Sequence, residues 1–238
     1  MLNPIPIVPL TDFVCVIVLL FLNVHLHKRV MESPIPSLKA FRDFFVCVTI
    51  EMFFLSLIGT IVTNPYAMQA VANLATFVFY FVLYFFLCFI FISTMAGGRL
   101  IYKIIPMAVL LTGCIIFLWN MIAFLPSRFE NLSLSKVSLI FFSDASPFLT
   151  NVVTGFFGFM VFGLGVFLFF KNGINLKEPV LKRRSLLISL GCATAIATSV
   201  FNWVFVYVFE SLLFNFFAAV GALVSVLLVY SGALMRVK

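Results

Sequence analysis

Seven long apolar stretches, separated by short polar segments, occupy most of this 238-residue chain. A helix needs about 20 apolar residues to cross roughly 30 Å of hydrocarbon, which is close to the length of each stretch. Outer-membrane strands are about half as long and alternate polar with apolar positions, so the pattern predicts helices. We place membrane-spanning helices near residues 8–26, 41–63, 67–94, 100–125, 147–170, 185–209 and 211–234. The predicted fold class is all-α: a polytopic membrane protein whose residues 1–238 form a single seven-helix transmembrane domain.

The composition favours the same conclusion. Hydrophobic residues make up 64% of the chain, charged residues make up 10%, and the mean hydropathy is +1.23. A water-soluble domain of this composition would lack the polar residues needed to cover its surface. We therefore expect a multi-pass protein of the inner (plasma) membrane, with the lipid bilayer as its principal partner.

The basic residues predict the orientation. All but two of the 15 lysines and arginines fall in the segments that follow helices 1, 3, 5 and 7. The exceptions, Arg128 and Lys136, lie between helices 4 and 5. Because short basic loops are held on the cytoplasmic side, we expect the N-terminus outside and the C-terminus inside. Topology and anionic lipid headgroups explain the net charge of +7, so nucleic acid is not an expected partner.

Only one connection between the predicted helices is long. Residues 127–146 join helices 4 and 5 on the outer side. Within them, the stretch from Leu132 to Phe142 alternates polar and apolar residues in the manner of a short hairpin. We expect this hairpin to lie over the outer mouth of the bundle.

Polar side chains recur at helical spacing inside the predicted spans. On helix 3 they are three or four residues apart, which places them on one side: Gln69, Asn73, Thr76, Tyr80 and Tyr84. Five amides on helices 3 to 7 fall in the outer half of their helices: Asn73, Asn120, Asn151, Asn202 and Asn215. Because polar groups avoid lipid, we expect a ligand pocket open to the outside, lined by these amides and Tyr80, with Trp119 or Trp203 at its rim. The alternative is that small and hydroxylated residues only pack the helices together.

Glu51 is a second candidate for a ligand contact. It lies about 15 Å into predicted helix 2, at 1.5 Å per residue, which is near the centre of the bilayer. A carboxylate there is costly unless it is protonated or paired with a donor. Cys47 and Gly59 share its face of the predicted helix, which favours contact with another helix. A ligand, proton or ion contact and a structural interhelical hydrogen bond both remain open for Glu51.

Catalytic and cofactor motifs are not evident in the sequence. The only histidines, His25 and His27, lie at the cytoplasmic end of helix 1 and are too few for a zinc or haem site in the bundle. No GxSxG, HExxH or phosphate-binding glycine loop occurs. Glu51 has no obvious carboxylate partner of the kind that an intramembrane hydrolase would use. We expect no enzyme activity, no metal and no cofactor.

Several runs of residues resemble the seven-transmembrane sensor region at the N-terminus of bacterial histidine kinases and diguanylate cyclases. Helix 2 contributes KAFRDFFVCVTIEMFF, helix 3 contributes NPYAMQAVANLATFVFYFVLYFFLCFIF, and the fourth-to-fifth region contributes WNMIAFL and SPFLTNVVTGFFGF. Asn120 matches an asparagine of that family, whereas Ala123 stands where the family often has a histidine. The resemblance implies a sensor that detects a small extracytoplasmic ligand or a state of the membrane. Because the chain ends directly after helix 7, we expect a separate cytoplasmic partner to receive the signal.

Three classes of function remain open at this point. A sensor fits the topology, the polar outer half and the resemblance. A small-solute transporter or channel fits Glu51 and the polar stripes. A non-catalytic subunit of a membrane complex fits the lack of a catalytic motif.

Overall fold

The computed structural model describes residues 7–94, 101–134, 137–143, 145–207 and 213–234. In these segments the chain forms seven α-helices and one two-stranded sheet. In chain order the elements are α1 (Ile7–Glu32), α2 (Pro36–Leu57), α3 (Pro65–Thr94), α4 (Ile101–Ile122), β1 (Arg128–Leu134), β2 (Val137–Ser143), α5 (Phe148–Asn175), α6 (Pro179–Tyr207) and α7 (Leu213–Leu234). The seven predicted helices and the predicted hairpin are thus confirmed as elements of the fold. The strands pair antiparallel, from Arg128 opposite Ser143 to Leu134 opposite Val137.

Several helices extend beyond their apolar stretches. α1 continues to Glu32, α5 continues to Asn175, and α6 begins at Pro179 and not near residue 185. Charged residues end an apolar run without ending a helix, because lysine, arginine and glutamate all have good helix propensity. The basic residues at these ends therefore belong to the terminal turns of helices and not to loops.

Proline and asparagine mark where helices begin. Pro36, Pro65 and Pro179 are the first residues of α2, α3 and α6, where the missing N–H leaves no helical hydrogen bond unmade. Asn64 precedes α3, and its Oδ1 accepts hydrogen bonds from the backbone N–H of Tyr66 (3.0 Å) and of the next residue (3.2 Å). This is the bonding of an N-cap, so the start of α3 is fixed by its local sequence.

α2 ends six residues earlier than the apolar pattern predicts, at Leu57. Gly59 has a φ of 76°, which glycine adopts without steric cost. The turn closes through hydrogen bonds from Gly59 N to Val62 O (2.9 Å) and from Val62 N to Leu57 O (2.9 Å). The prediction that Gly59 shares a helical face with Glu51 is therefore wrong, because Gly59 lies outside the helix.

Within the described residues, four helical segments are long and apolar enough to cross a membrane: Pro9–Glu32, Pro65–Thr94, Lys103–Ile122 and Phe148–Asn175. α2 is not among them, since it carries Lys39, Arg42, Asp43 and Glu51. α7 is 22 residues long, and the described part of its apolar stretch is Val220–Leu234. The helices are those of a membrane protein, whereas seven spans and their orientation stay predictions.

The chain divides into two compact units, Met1–Thr154 and Gly155–Lys238. In the first unit α2 packs against both α1 and α3, and α3 also packs against α4. Phenylalanine rings fill the contact between α2 and α3: the centroids of Phe41 and Phe89 are 4.7 Å apart, and those of Phe44 and Phe86 are 4.9 Å apart. Tilted rings at such distances contribute interaction energy in addition to that of the apolar area that they bury. This contact holds the centre of the unit.

The second unit contains most of α5 together with α6 and α7. Serine hydroxyls on α6 donate to backbone oxygens of α5: Ser185 Oγ to Phe169 O at 2.9 Å, and Ser189 Oγ to Val166 O at 3.1 Å. α6 also packs closely on α7. Ser225 Oγ of α7 donates to the backbone oxygen of Gly191 on α6 at 2.7 Å. Small and hydroxylated residues are thus the packing elements of this unit.

Candidate ligand-binding site at one end of the first unit

Three helix ends meet beside the hairpin in the first unit. Gln69, one turn into α3, joins them through its side chain, which is 1% exposed. Its Oε1 accepts hydrogen bonds from Ser127 Oγ (2.6 Å) and from the backbone N–H of Ala145 (3.0 Å). Its Nε2 donates to Ser146 Oγ (3.2 Å) and to Asn73 Oδ1 (3.2 Å). Ser127 precedes β1 and Ala145 follows β2, so one side chain fastens both ends of the hairpin. We call this part of the molecule the hairpin end of the first unit.

α3 and α4 face each other through residues spaced three or four apart. Three contacts set their antiparallel register: Tyr80 with Gly113, Phe77 with Phe117, and Tyr66 with Phe124, which follows the end of α4. Ring centroids are 5.0 Å apart in the second contact and 6.4 Å apart in the third. Asn73 lies one helical turn from Phe77, and Asn120 lies one turn from Phe117, in both cases towards the hairpin end. The two amides therefore occupy the same level on facing sides of α3 and α4.

Asn73 and Asn120 are both buried, with exposed fractions of 1% and 2%. Each carbonyl oxygen accepts a hydrogen bond: Asn73 Oδ1 from Gln69 Nε2 (3.2 Å), and Asn120 Oδ1 from Thr150 Oγ1 (2.8 Å). The Nδ2 of each amide has no hydrogen-bond partner. An amide NH₂ carries two donors, so this level holds four buried N–H groups without an acceptor. Leaving a buried donor unbonded costs about 1–3 kcal/mol.

The first turn of α5 closes a third side of the site. Thr150 and Thr154 are four residues apart and share a helical face. The first donates to Asn120 on α4, and the hydroxyl oxygen of the second lies 3.1 Å from that of Tyr80 on α3. Tyr80 is fully buried, and a Cβ placed on Gly113 would lie 2.5 Å from its Cβ and Cγ. Because Gly113 has no side chain, Tyr80 can pack directly against this part of α4.

The remaining residues predicted for the pocket are less enclosed or lie outside the described side chains. Asn151 begins α5 and is partly exposed. Trp119 is half-exposed, and because consecutive helical residues point about 100° apart, it leaves α4 on a different side from Asn120. The side chains of three predicted residues lie outside the described residues: Asn202, Trp203 and Asn215. Their convergence with Asn73 and Asn120 stays a prediction.

The sequence pattern predicts that Glu51 lies near the middle of its helix, but the observed bounds of α2 do not place it there. It lies six residues, or about 9 Å, from the end of α2 at Leu57. It is partly exposed, whereas Asp12, about 8 Å from the start of α1, is buried. The expectation that Glu51 has no carboxylate partner of the kind that an intramembrane hydrolase would use stays a prediction.

A third polar contact joins α1 and α2. Asn23 Nδ2 donates to Thr49 Oγ1 (2.6 Å) and to the backbone oxygen of Phe45 (3.4 Å). Thr49 Oγ1 in turn donates to the same oxygen (2.8 Å). The Oδ1 of Asn23 has no hydrogen-bond partner. The bonding of Asn23 is the opposite of that of Asn73 and Asn120, because its Nδ2 donates hydrogen bonds and its Oδ1 accepts none.

The sequence pattern places Gln69 on the polar stripe of helix 3 but not in the pocket, and it does not identify Ser127 or Thr150. The signal available for these residues is their position, since the two hydroxyl groups flank the predicted hairpin at the ends of helices 4 and 5. Within the described residues, no group of three histidine, cysteine, aspartate or glutamate side chains is arranged to hold a metal ion. No family model and no curated protein matches this chain.

Proposed function

We propose that this protein is an integral membrane sensor that binds a small extracytoplasmic molecule at the hairpin end of its first unit. In this proposal the chain crosses the inner membrane seven times, with its N-terminus outside, and a separate cytoplasmic partner receives the signal. The observation that supports a binding site is the pair of buried amides, Asn73 and Asn120, whose N–H groups have no acceptor.

A purely structural amide would normally have both of its ends bonded, because buried polar groups in folded proteins nearly always are. Here each carbonyl oxygen is bonded and each NH₂ is not, at the same level of two facing helices. Unbonded donors that converge among aromatic rings are the usual form of a ligand site. A molecule that supplied acceptors would remove the cost of leaving these groups unbonded.

The topology has support from the sequence alone. Arg128 lies in β1 and Lys136 lies between the two strands in sequence, whereas the other basic residues fall around the α1–α2, α3–α4 and α5–α6 connections and after α7. Under the positive-inside rule this distribution places the hairpin end outside. A reporter that is active only outside should work when fused at residue 135 and fail when fused within residues 172–178. The opposite result would contradict the orientation and, with it, an extracytoplasmic ligand.

Access to the site can be measured with cysteine variants. Asn120→Cys and Asn73→Cys, expressed in intact cells, should react with a small membrane-impermeant methanethiosulfonate added outside. The control is Ala75→Cys, two residues along α3 from Asn73 and 3% exposed, on a different side of the helix. We expect the two asparagine positions to react at least ten times faster than the control. Equal rates at all three positions would contradict a pocket open to the outside.

A small-solute or proton transporter is the second candidate, and the observation that favours it is the buried carboxyl group of Asp12 in α1, together with Glu51 in α2. Acidic groups inside predicted spans are costly in lipid and are typical of ion or proton pathways. Purified protein in vesicles containing a pH-sensitive dye should then speed the collapse of an imposed pH gradient. Glu51→Gln should abolish that activity. If the wild-type chain has no effect on the gradient, proton transport is excluded.

A further inference from the structure

The bonding at Asn73 and Asn120 restricts the chemistry of a ligand. Both carbonyl oxygens already accept hydrogen bonds, from Gln69 and from Thr150. The groups that remain free are donors only, namely the two Nδ2 groups. A ligand that fits between them must therefore bring acceptor atoms, and one that brings ammonium or other donor groups would find no acceptor on these two amides.

The ends of two helices add a charge preference. α3 begins at Pro65 and α5 begins at Phe148, so the amino ends of both helices lie at the hairpin end of the first unit. The amino end of a helix carries a partial positive charge, which favours an anion within about one turn. Thr150, which bonds to Asn120, is itself in the first turn of α5. The amino end of α5 favours a negatively charged acceptor beside Thr150, whereas Asn73 lies about 12 Å from the start of α3 and Asn120 lies in the last turn of α4.

The surroundings of the amides favour a small apolar body. The Phe77–Phe117 pair lies on one side of the level of Asn73 and Asn120, and the stacked Tyr66–Phe124 pair lies on the other. Helices in contact are about 8–10 Å apart, which excludes a large ring system between them. Aromatic rings provide favourable contacts for a few methylene groups.

We propose that the site binds a small monocarboxylate, whose oxygens accept hydrogen bonds from Nδ2 of Asn73 and Nδ2 of Asn120. This inference rests on the proposed binding function and names the chemical class of its ligand. The carboxylate has two potential sources, a short water-soluble acid that enters from outside and a fatty acid that enters from the bilayer. The head group is the same in both, and the length of the chain distinguishes them.

The test uses the purified full-length chain in detergent and measures its thermal unfolding with butyrate, butylamine, butanol and oleate, at matched ionic strength. Butyrate at ten times its dissociation constant should raise Tm by about 3–6 °C. Butylamine and butanol should leave Tm unchanged. A shift with oleate and not with butyrate would assign the site to a lipid-derived carboxylate and would support the same head-group chemistry.

Asn73→Asp and Asn120→Asp are the decisive variants, because an aspartate keeps an oxygen that accepts from Gln69 or Thr150 and replaces the unbonded donors with a second oxygen, which repels a carboxylate when it is ionised. Both variants should lose the response to the carboxylate. The control is Asn23→Asp, the same substitution in the α1–α2 contact, which should keep the full response. Should an aspartate variant fail to fold, the uncharged Asn73→Leu replaces it, with the same loss expected.

The proposal is overturned if no carboxylate shifts Tm, if butylamine shifts it equally, or if the aspartate variants respond as the wild type does. This failure is distinguishable from failure of the binding function. Reactive cysteines at positions 73 and 120 without a carboxylate response would leave the pocket in place and exclude this ligand class. Unreactive cysteines together with no shift of Tm by butyrate or oleate would exclude both.

Discussion

Replacement of Gln69 by leucine tests whether a single side chain holds the hairpin to the helices. The substitution removes four hydrogen bonds. Ser127 Oγ and Asn73 Oδ1 then lose a partner in buried surroundings, and each such group costs about 1–3 kcal/mol. Ala145 and Ser146 are half-buried, so water can replace part of their bonding. Burial of the leucine side chain returns about 1.5 kcal/mol or more, which leaves a net loss of about 1–4 kcal/mol.

The loss can be measured by unfolding the purified protein with increasing dodecyl sulfate in mixed micelles, with helical circular dichroism as the signal. The control is Thr76→Val, a nearly isosteric change of a half-buried residue on the same helix, which should stay within about 0.5 kcal/mol of wild type. Trypsin gives a second readout, since Gln69→Leu should speed cleavage at Arg128 and Lys136. The reasoning is refuted if Gln69→Leu is no less stable than Thr76→Val and its hairpin is cleaved no faster than that of the wild type.

Three further predictions follow from the packing, each measured by the same unfolding assay. Gly113→Ala should lose about 1–3 kcal/mol, because its Cβ would lie 2.5 Å from Tyr80, whereas Gly163→Ala, with nothing within 4 Å, should be neutral or gain up to about 1 kcal/mol. Equal effects of the two substitutions would contradict the close contact. A double-mutant cycle of Asn23→Ala and Thr49→Ala should give a coupling of about 0.6–1.7 kcal/mol, and a value near zero would exclude their hydrogen bond. Asn73→Leu should stay within about 1 kcal/mol of wild type, since one lost hydrogen bond is offset by removal of an unbonded NH₂; a loss above about 3 kcal/mol would show a structural role instead.

The number of helices was predictable because each one contains a long apolar stretch, but their ends were not. An apolar window stops at the first cluster of charges, and Lys182, Arg183 and Arg184 form such a cluster in the first turns of α6. The end of α2 was misplaced for the opposite reason. Residues 58–63 are mostly apolar and extend the hydrophobic run, although the positive φ of Gly59 has already ended the helix. Hydropathy measures the preference for lipid, and backbone geometry decides where a helix stops.

Part of the candidate site was predictable from the sequence, and there is a physical reason why the rest was not. Asn73 and Asn120 could be identified because polar groups at helical spacing and similar depth mark an inward face. Which amide has a free donor depends on neighbours far away in the sequence, such as Thr150 for Asn120, and a stripe on one helix does not contain that information. The role of Gln69 is hidden for the same reason, since two of its partners follow it by 76 and 77 residues.

The contact between α6 and α7 has a consequence for biosynthesis. A Cβ on Gly191 would lie 2.9 Å from the backbone oxygen of Ser225, and one on Gly232 would lie 2.8 Å from that of Arg184. A backbone oxygen cannot move away by a change of rotamer, as a side chain can, so either substitution would separate the two helices. They are synthesised one after the other, and their pairing shields polar backbone and hydroxyl groups from lipid soon after insertion. We expect Gly232→Leu to lower the amount of protein that escapes membrane quality-control proteases, because newly inserted chains would remain unpaired for longer.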